Sequence, residues 1–451
     1  MHFTSSPTAP ATGDPNAHLF TALTYNILAR SLGSNTIPWV MQVSPDTKRR
    51  VEGVAGLPWD EWRRGAVDAE YKRHWHKNFA SGDYASMRKF WSCRRLQNAD
   101  AIPGELPGLA FESEDRVRYG DRVATTLRGA LRASLGEDEG LRLFEEVRSS
   151  EETVYDWESA RGPRVFAEAI RGDVVALQEY DVHGVAAAYD GAAVATFAAA
   201  MRSKGFAGVF AKDPLAGRDP PSGLGLFWRS SVFEALGGGE DVELECGAAA
   251  GGVANYDLEE RWRPLSDGGG DAALPPADRR NCVVARLRHR ASGRVLCVVA
   301  AHLMTTSRDG PRVTKHPGEV RAGELARIKA IVEAAVEPGD ALVFMGDFNT
   351  PPSDARVFEG RVGDGFDTGF ADGGFAWAGR TLRCAFEADW ADESKCTSRN
   401  GDRKMWIDYL YHDRTLEAVG RSDATAPPRA IPDEARPSDH LPLAATFRFV
   451  S

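Results

Sequence analysis

The sequence predicts an α/β fold. Three observations carry this. Short apolar runs of strand length recur along the chain, an amphipathic helix falls between two of them, and reactive side chains stand at the carboxyl ends of several runs. With 451 residues, 43% of them hydrophobic and 27% charged, the chain can bury a large core beneath a charged surface.

The first strand expected is Phe20 to Asn26. Residues 1–18 before it are polar, lack the charged-then-apolar profile of a secretory signal, and are expected as a frayed tail. The rest, 19–451, is expected as one domain carrying a mostly helical insertion at about 31–160. That stretch is rich in Arg, Glu and Trp, with helical spacing in Asp121 to Leu135 and Gly140 to Arg148. From Arg161 the pattern alternates. Val165 to Arg171 closes a helix, Asp173 to Gln178 is a short buried strand, and Leu224 to Trp228 is another. Cys282 through Ala301 predicts a hairpin turning at Ala291, Ser292 and Gly293. Val320 to Val336 is a helix with Leu325, Ile328 and Val332 on one face, stopped by Pro338 and Gly339. Ala341 to Met345, Met405 to Tyr411 and Leu443 to Phe449 complete the strands. Gly237 to Gly252, Asp267 to Asp278 and Ala424 to Pro437 read as loops.

Composition removes several function classes. The longest apolar run, Val295 to Ala301, suits a buried strand and not a membrane span. The six cysteines are scattered without a C-x-x-C pair, which disfavours a zinc site and points to a reducing compartment. The cytoplasm is the expected location, with nucleus and organelles left open. Cys282 and Cys297 fall in strand runs and read as buried thiols. A net charge of -10 disfavours a protein that coats nucleic acid indiscriminately. It leaves room for an enzyme whose basic residues line one cleft while acidic ligands hold a metal.

The reactive residues form a set. Asn26 ends the first strand, Glu179 follows Val174 to Gln178, and His302 follows Val295 to Ala301. Asp347 and Asn349 come after Ala341 to Met345, Asp408 lies in a late strand, and Asp439 and His440 precede the last one. Asp347 and Asn349 are two apart in a stretch read as extended, so both should project the same way, with Gly346 allowing a tight bend before them. Several carboxylates with an Asn make a hard-oxygen site suited to magnesium, with manganese as the alternative. Two histidines with an Asp suit proton transfer at phosphorus. Neither a G-x-x-x-x-G-K-[ST] phosphate loop nor a G-x-S-x-G elbow occurs. The residues read as metal-assisted hydrolysis.

Taken in order, Tyr25-Asn26-Ile27-Leu28, Leu177-Gln178-Glu179, Ala301-His302-Leu303, Gly346-Asp347-Phe348-Asn349, Ile407-Asp408-Tyr409 and Ser438-Asp439-His440 resemble the endonuclease/exonuclease/phosphatase superfamily. The resemblance runs from about Thr21 to the end, insertion excepted. Tyr25 to Arg30, Gly346 to Asp354 and Ser222 to Trp228 are similar to its deadenylase, nocturnin and Angel branch. The inositol-phosphate 5-phosphatase pattern is missing, since Phe344 and Pro351 stand at its Trp and Arg positions.

The resemblance implies a four-layer α/β sandwich, two mixed β-sheets packed face to face and flanked by helices. It implies Glu179, Asn26 and Asp439 at the metal, and Asn26, His302 and Asn349 on the substrate. It implies His302, Asp347, Asn349, Asp408 and His440 in catalysis, Asp408 holding His440 in its working tautomer. Whether His440 or Asp347 is the base stays open. The implied activity is phosphoester hydrolysis, with 3′-exoribonuclease action on single-stranded RNA first, and a nucleotide-cofactor phosphatase or a sphingomyelinase-like lipid phosphodiesterase behind it. A non-catalytic binding protein of the same fold is the rival from another class; it predicts a lost ligand, and none is lost.

Other features have plainer readings. Tyr71 to Lys77 mixes basic and aromatic residues; a packed amphipathic helix explains it better than an RNA-stacking surface. Arg279-Arg280 and Arg312 to Lys315 read as loop charges, with substrate contact as the sharper reading.

Overall fold

The computed structural model describes residues 18–29, 45–55, 128–129, 131–191, 193–214, 222–239, 241–258, 280–304, 317–363, 365–400, 403–428, 431–433 and 435–450. The basic-aromatic stretch 71–77, the loop 267–278, Arg279, the stretch 312–315 and nearly all of the tail lie outside them. So does most of 31–160, whose described parts include two helices, α1 (Pro45–Ala55) and α2 (Glu137–Tyr155).

Two mixed sheets carry the fold. The first has seven strands: β1 (Leu19–Asn26), β2 (Val174–Gln178), β3 (Phe206–Lys212), β4 (Gly223–Arg229), β5 (Val242–Leu244), β12 (Leu416–Arg421) and β13 (Leu443–Phe449), in the order β12-β13-β1-β2-β4-β3-β5. The second has ten strands, among them β6 (Asn281–His289), β7 (Val295–His302), β8 (Ala341–Asp347), β9 (Gly374–Trp377), β10 (Arg380–Cys384) and β11 (Asp408–Asp413). Its spine runs β9-β10-β11-β8-β7-β6. β1 and β2 are parallel, as are β7 and β8, whereas β13 and β11 run against them. The carboxyl ends of β1, β2, β7 and β8 and the amino ends of β11 and β13 therefore define the rims where the reactive residues lie.

Alternation along the strands decides which side chains meet. Phe20, Ala22, Val174, Ala176, Leu226 and Trp228 share one apolar cluster with Val298, Ala300, Val343 and Met345 of the second sheet. Leu23, Tyr25, Val175, Leu177 and Phe227 point to the opposite face, onto Phe166 of α3 (Gly162–Ala169) and Phe197 of α4 (Phe197–Ser203). On the second sheet, α5 (Pro317–Ala335) contributes Leu325, Ile328 and Val332. Each such fully buried side chain contributes about 1.5–3 kcal/mol.

Several expectations need correction. The strand expected over Met405 to Tyr411 is broken: Arg403–Met405 pairs in a small hairpin, and β11 begins only at Asp408. Gly237 to Gly252 is not all loop, since it holds β5 and a short strand, Ala249–Ala250. Gly346 does not bend the chain. It lies inside β8 opposite Ala301, and a Cβ there would sit 1.9 Å from the Ala301 carbonyl oxygen, so glycine lets β7 and β8 close up.

Candidate active site

Strand register brings the reactive residues into rows. His302, Asp347 and Asp408 are directly paired neighbours across β7, β8 and β11. Asn26 pairs with Gln178, whose successor is Glu179. The inward series Val298, Ala300 and Val343, Met345 continue to His302 and Asp347, so both turn toward the first sheet. There Asn26 bridges the sheets: its Nδ2 donates to Glu179 Oε1 at 3.1 Å and to Asp347 Oδ2 at 3.0 Å.

Glu179 stands where the chain leaves β2 with φ 55°, a left-handed conformation that costs a non-glycine residue of order 1–3 kcal/mol. The turn is held from both sides. Ala29 N–H donates to Glu179 Oε2 at 2.9 Å, and Tyr180 buries its ring edge-on to Phe197, Phe210 and Phe227. Burial first, and the charge of Asp439 second, push the Glu179 carboxyl above its ordinary range.

Asn349 is also left-handed, φ 49°, so the stretch after Asp347 is a turn and not extended as expected. Its N–H donates back to Asp347 Oδ1 at 2.8 Å, and its Nδ2 donates to the Leu303 carbonyl at 3.0 Å. Asp347 is raised by burial and then by the charge of Asp408.

Both histidines approach Asp347 Oδ2. His302 Nε2 is 3.6 Å from it and His440 Nε2 3.8 Å. His440 Nδ1 is 2.8 Å from Asp408 Oδ2, and Asp439 Oδ1 is 4.0 Å from His440 Nε2. Burial alone would lower the His440 pKa, but Asp408, Asp347 and Asp439 outweigh it and hold the ring protonated. His302 goes the other way. Burial, then the positive charges of Arg280 and His440, leave it neutral, and its buried Nε2 has no hydrogen-bond partner among the described residues.

All eight reactive residues predicted from the sequence, Asn26, Glu179, His302, Asp347, Asn349, Asp408, Asp439 and His440, thus gather on one rim. Glu179 is half-buried, and none of the other seven is more than 9% exposed. Three further residues hold them. Thr397 Oγ1 accepts from both Ile407 N–H and Asp408 N–H, at 2.9 and 3.0 Å, which fixes the start of β11. Ser438 Oγ donates to the Asn26 carbonyl at 2.6 Å and accepts from His440 N–H at 3.2 Å. Arg161, fully buried, donates to the Pro437 carbonyl at 2.7 Å, the Ile27 carbonyl at 2.8 Å, and the Leu28 carbonyl. It ties the segment after β1 to the segment before His440. Ser438 stands beside Asp439 in the motif, where the sequence could have shown it. Thr397 acts across a small hairpin on backbone 10 and 11 residues on, and Arg161 on backbone 134 and 276 residues away, which no local pattern reveals.

Among the described residues, Asp347, Asp408 and His440 each offer a ligand atom within 4.8 Å of one another. Asp408 and His440 are already joined by a hydrogen bond, so this trio is better explained as an acid–base set. Among the described residues no helix is long and apolar enough to cross a membrane.

The fold is similar to that of ANGEL2, a 2′,3′-cyclic phosphatase solved with adenosine-2′,3′-vanadate, at 18% identity over 66% of this chain and 88% of that one, TM-score 0.46. It is similar to the human Nocturnin catalytic domain with bound sulfate, at 20% identity over 66% and 90%, TM-score 0.41. A mannosyl-6-phosphatase of Bacteroides thetaiotaomicron is similar at 18% identity over 63% and 90%, TM-score 0.39. No curated protein sequence matches. The model of the Endonuclease/Exonuclease/phosphatase family matches residues 142–440. The chain belongs to that family and is a phosphoesterase.

Proposed function

We propose that this phosphoesterase is a magnesium-dependent hydrolase, with manganese as a substitute, that trims the 3′ end of single-stranded RNA in the cytoplasm. The observation that carries the metal reading is the crowding of carboxylates on one rim. Asp347, Asp408 and Asp439 are buried there, and the Glu179 carboxyl is raised by desolvation first and by the charge of Asp439 second. Desolvated oxygen donors of like charge are relieved by a hard divalent cation. Glu179 and Asp439 would hold it. Asn26 serves Glu179 and Asp347 as a donor through its Nδ2, while its Oδ1 accepts from Leu28 N–H at 3.0 Å. Bound there, the metal would neutralise charge developing on the phosphoryl oxygens.

The chain's own groups divide the remaining work. Asp347, within 4 Å of both imidazoles, orients the attacking water and takes its proton. His302, neutral and with no hydrogen-bond partner on Nε2 among the described residues, meets a phosphoryl oxygen, and Asn349 shapes the turn beside it. His440, kept cationic by Asp408, faces the same space, stabilises the charge of the transition state and gives its proton to the oxygen that leaves as the phosphorus–oxygen bond breaks. The preference for RNA rests on the branch resemblance of Tyr25 to Arg30, Ser222 to Trp228 and Gly346 to Asp354.

The test is release of AMP from short poly(A) and of free phosphate from NADPH, with magnesium and with a chelator. AMP release that the chelator stops is expected. Phosphate release from NADPH instead moves the protein to the nucleotide-cofactor phosphatases. Glu179→Ala should abolish turnover while the circular dichroism spectrum is kept; turnover that survives chelator or substitution sinks the metal assignment.

A further inference from the structure

Beyond His302 the chain leaves β7 through Leu303 and Met304, and every backbone polar group of those two residues is engaged. Leu303 N–H donates to the Asp347 carbonyl at 2.9 Å, and its carbonyl accepts from Asn349 Nδ2 at 3.0 Å. Met304 N–H donates to Glu324 Oε2 at 2.9 Å, and its carbonyl accepts from Arg321 Nη1 at 3.4 Å. The first two partners come from the end of β8 and the turn after it. The last two stand three apart on α5, hence on one face of the helix.

Arg321 and Glu324 are only 2% and 4% exposed. Burying each charge costs several kcal/mol, and apolar side chains of like volume would fasten α5 to the sheet without that cost. Among the described residues the two form no ion pair with each other, and for both groups burial outweighs the attraction between them. The Met304 backbone between them accounts for their burial. Arg321 also lies near enough to Asp347 and Asp354 for their charges to act on it, which places this end of α5 beside the reactive row.

We propose that Arg321 and Glu324 are positioning residues, which grip the N–H and the carbonyl of Met304 and thereby fix the imidazole of His302 for the substrate phosphate. The proposal rests on the reading of His302 as the group that meets a phosphoryl oxygen.

Glu324→Ala removes the acceptor for Met304 N–H, whereas Glu324→Gln keeps a side-chain oxygen there. We expect Glu324→Ala to lower kcat about 100-fold with KM changed less than about 3-fold, as for a misplaced catalytic group. Glu324→Gln should restore kcat to within about 3-fold of wild type. An unchanged kcat in the alanine variant, or equal loss in both, overturns the clamp. If Glu324→Ala does not fold, Arg321→Met, of similar reach, is expected to give the same loss of kcat, and its failure to do so overturns the clamp equally. Hydrogen exchange of the Met304 amide, read in protein labelled with 15N-methionine, needs no turnover. The amide should be protected in wild type and in Glu324→Gln. A freely exchanging Met304 amide in wild type refutes the clamp in an active enzyme. A protected one in a protein inactive on every phosphoester refutes the hydrolytic reading instead.

Discussion

His440 and His302 stand on one rim, each within 4 Å of the same Asp347 oxygen, yet their surroundings push them apart. Around His440 are Asp408, Asp347 and Asp439, and the ring is protonated. Around His302 burial is uncompensated and Arg280 adds a like charge, so the ring is neutral. The Asp347 oxygen 3.6 Å away does not reverse this, because it already accepts from Asn26 and faces the cationic His440. One residue type at one sheet edge thus serves two roles, set by what packs behind it. Behind His440 is a carboxylate; behind His302 is a backbone brace.

The sharpest way to break this contrast is to remove the carboxylate. Asp408→Asn keeps the side-chain shape and leaves the Thr397 bond to the backbone N–H in place. It removes the charge that orients and protonates His440, and kcat is expected to fall by about 10⁴-fold, as when a triad carboxylate is lost. A loss of less than about tenfold, with melting unchanged, would show that the pair does not act as a unit. His302→Ala removes one donor to a phosphoryl oxygen. Its expected cost is about 10²–10³-fold in kcat, smaller because the carboxylates and His440 remain. Equal losses in the two variants would erase the distinction between the histidines.

Much of this site was legible because its members end strands. Asn26, His302 and Asp347 close apolar runs, and the fold class followed from the same runs. What was not legible depends on pairing between distant segments. The row His302, Asp347, Asp408 exists only once β7, β8 and β11 are in register. The strand expected over Met405 to Tyr411 failed because Thr397 takes the N–H groups of Ile407 and Asp408 away from the ladder. β3 is hidden in the sequence because Gly208 interrupts its apolar pattern. In the fold that glycine makes room for Phe227, whose Cδ1 would lie 2.4 Å from an added Cβ. Arg321 and Glu324 look like ordinary charges on an amphipathic helix, and only the fold puts the Met304 backbone between them.

The contrast can also be sharpened without touching a catalytic group. Arg280→Ala removes a charge that disfavours protonated His302, so the His302 ring should titrate at higher pH, still below the ordinary 6.5 because burial persists. Ring chemical shifts across about pH 4–8, a range that brackets an ordinary histidine, would read this. A His302 titration unmoved by the substitution would mean that burial alone keeps it neutral.

The smallest effect concerns stability. Burial raises the Glu324 carboxyl from 4.5 to about 7, against the opposing pull of the Met304 N–H, Arg280 and Arg321. A raised carboxyl means that the native state still holds a proton the unfolded chain has released. Wild-type stability should therefore fall as pH rises from about 4.5 to about 7, and level off above. The full decline attributable to this group is at most about 3.5 kcal/mol, since raising a pKa by one is worth about 1.4 kcal/mol. Glu324→Gln cannot ionise and should lose this part of the slope. Urea unfolding of both proteins at about pH 5 and about pH 8, either side of most of that change, measures the difference. The glutamine variant should gain on wild type toward the higher pH, and a constant difference at the two values would mean that Glu324 ionises as easily in the fold as in the unfolded chain.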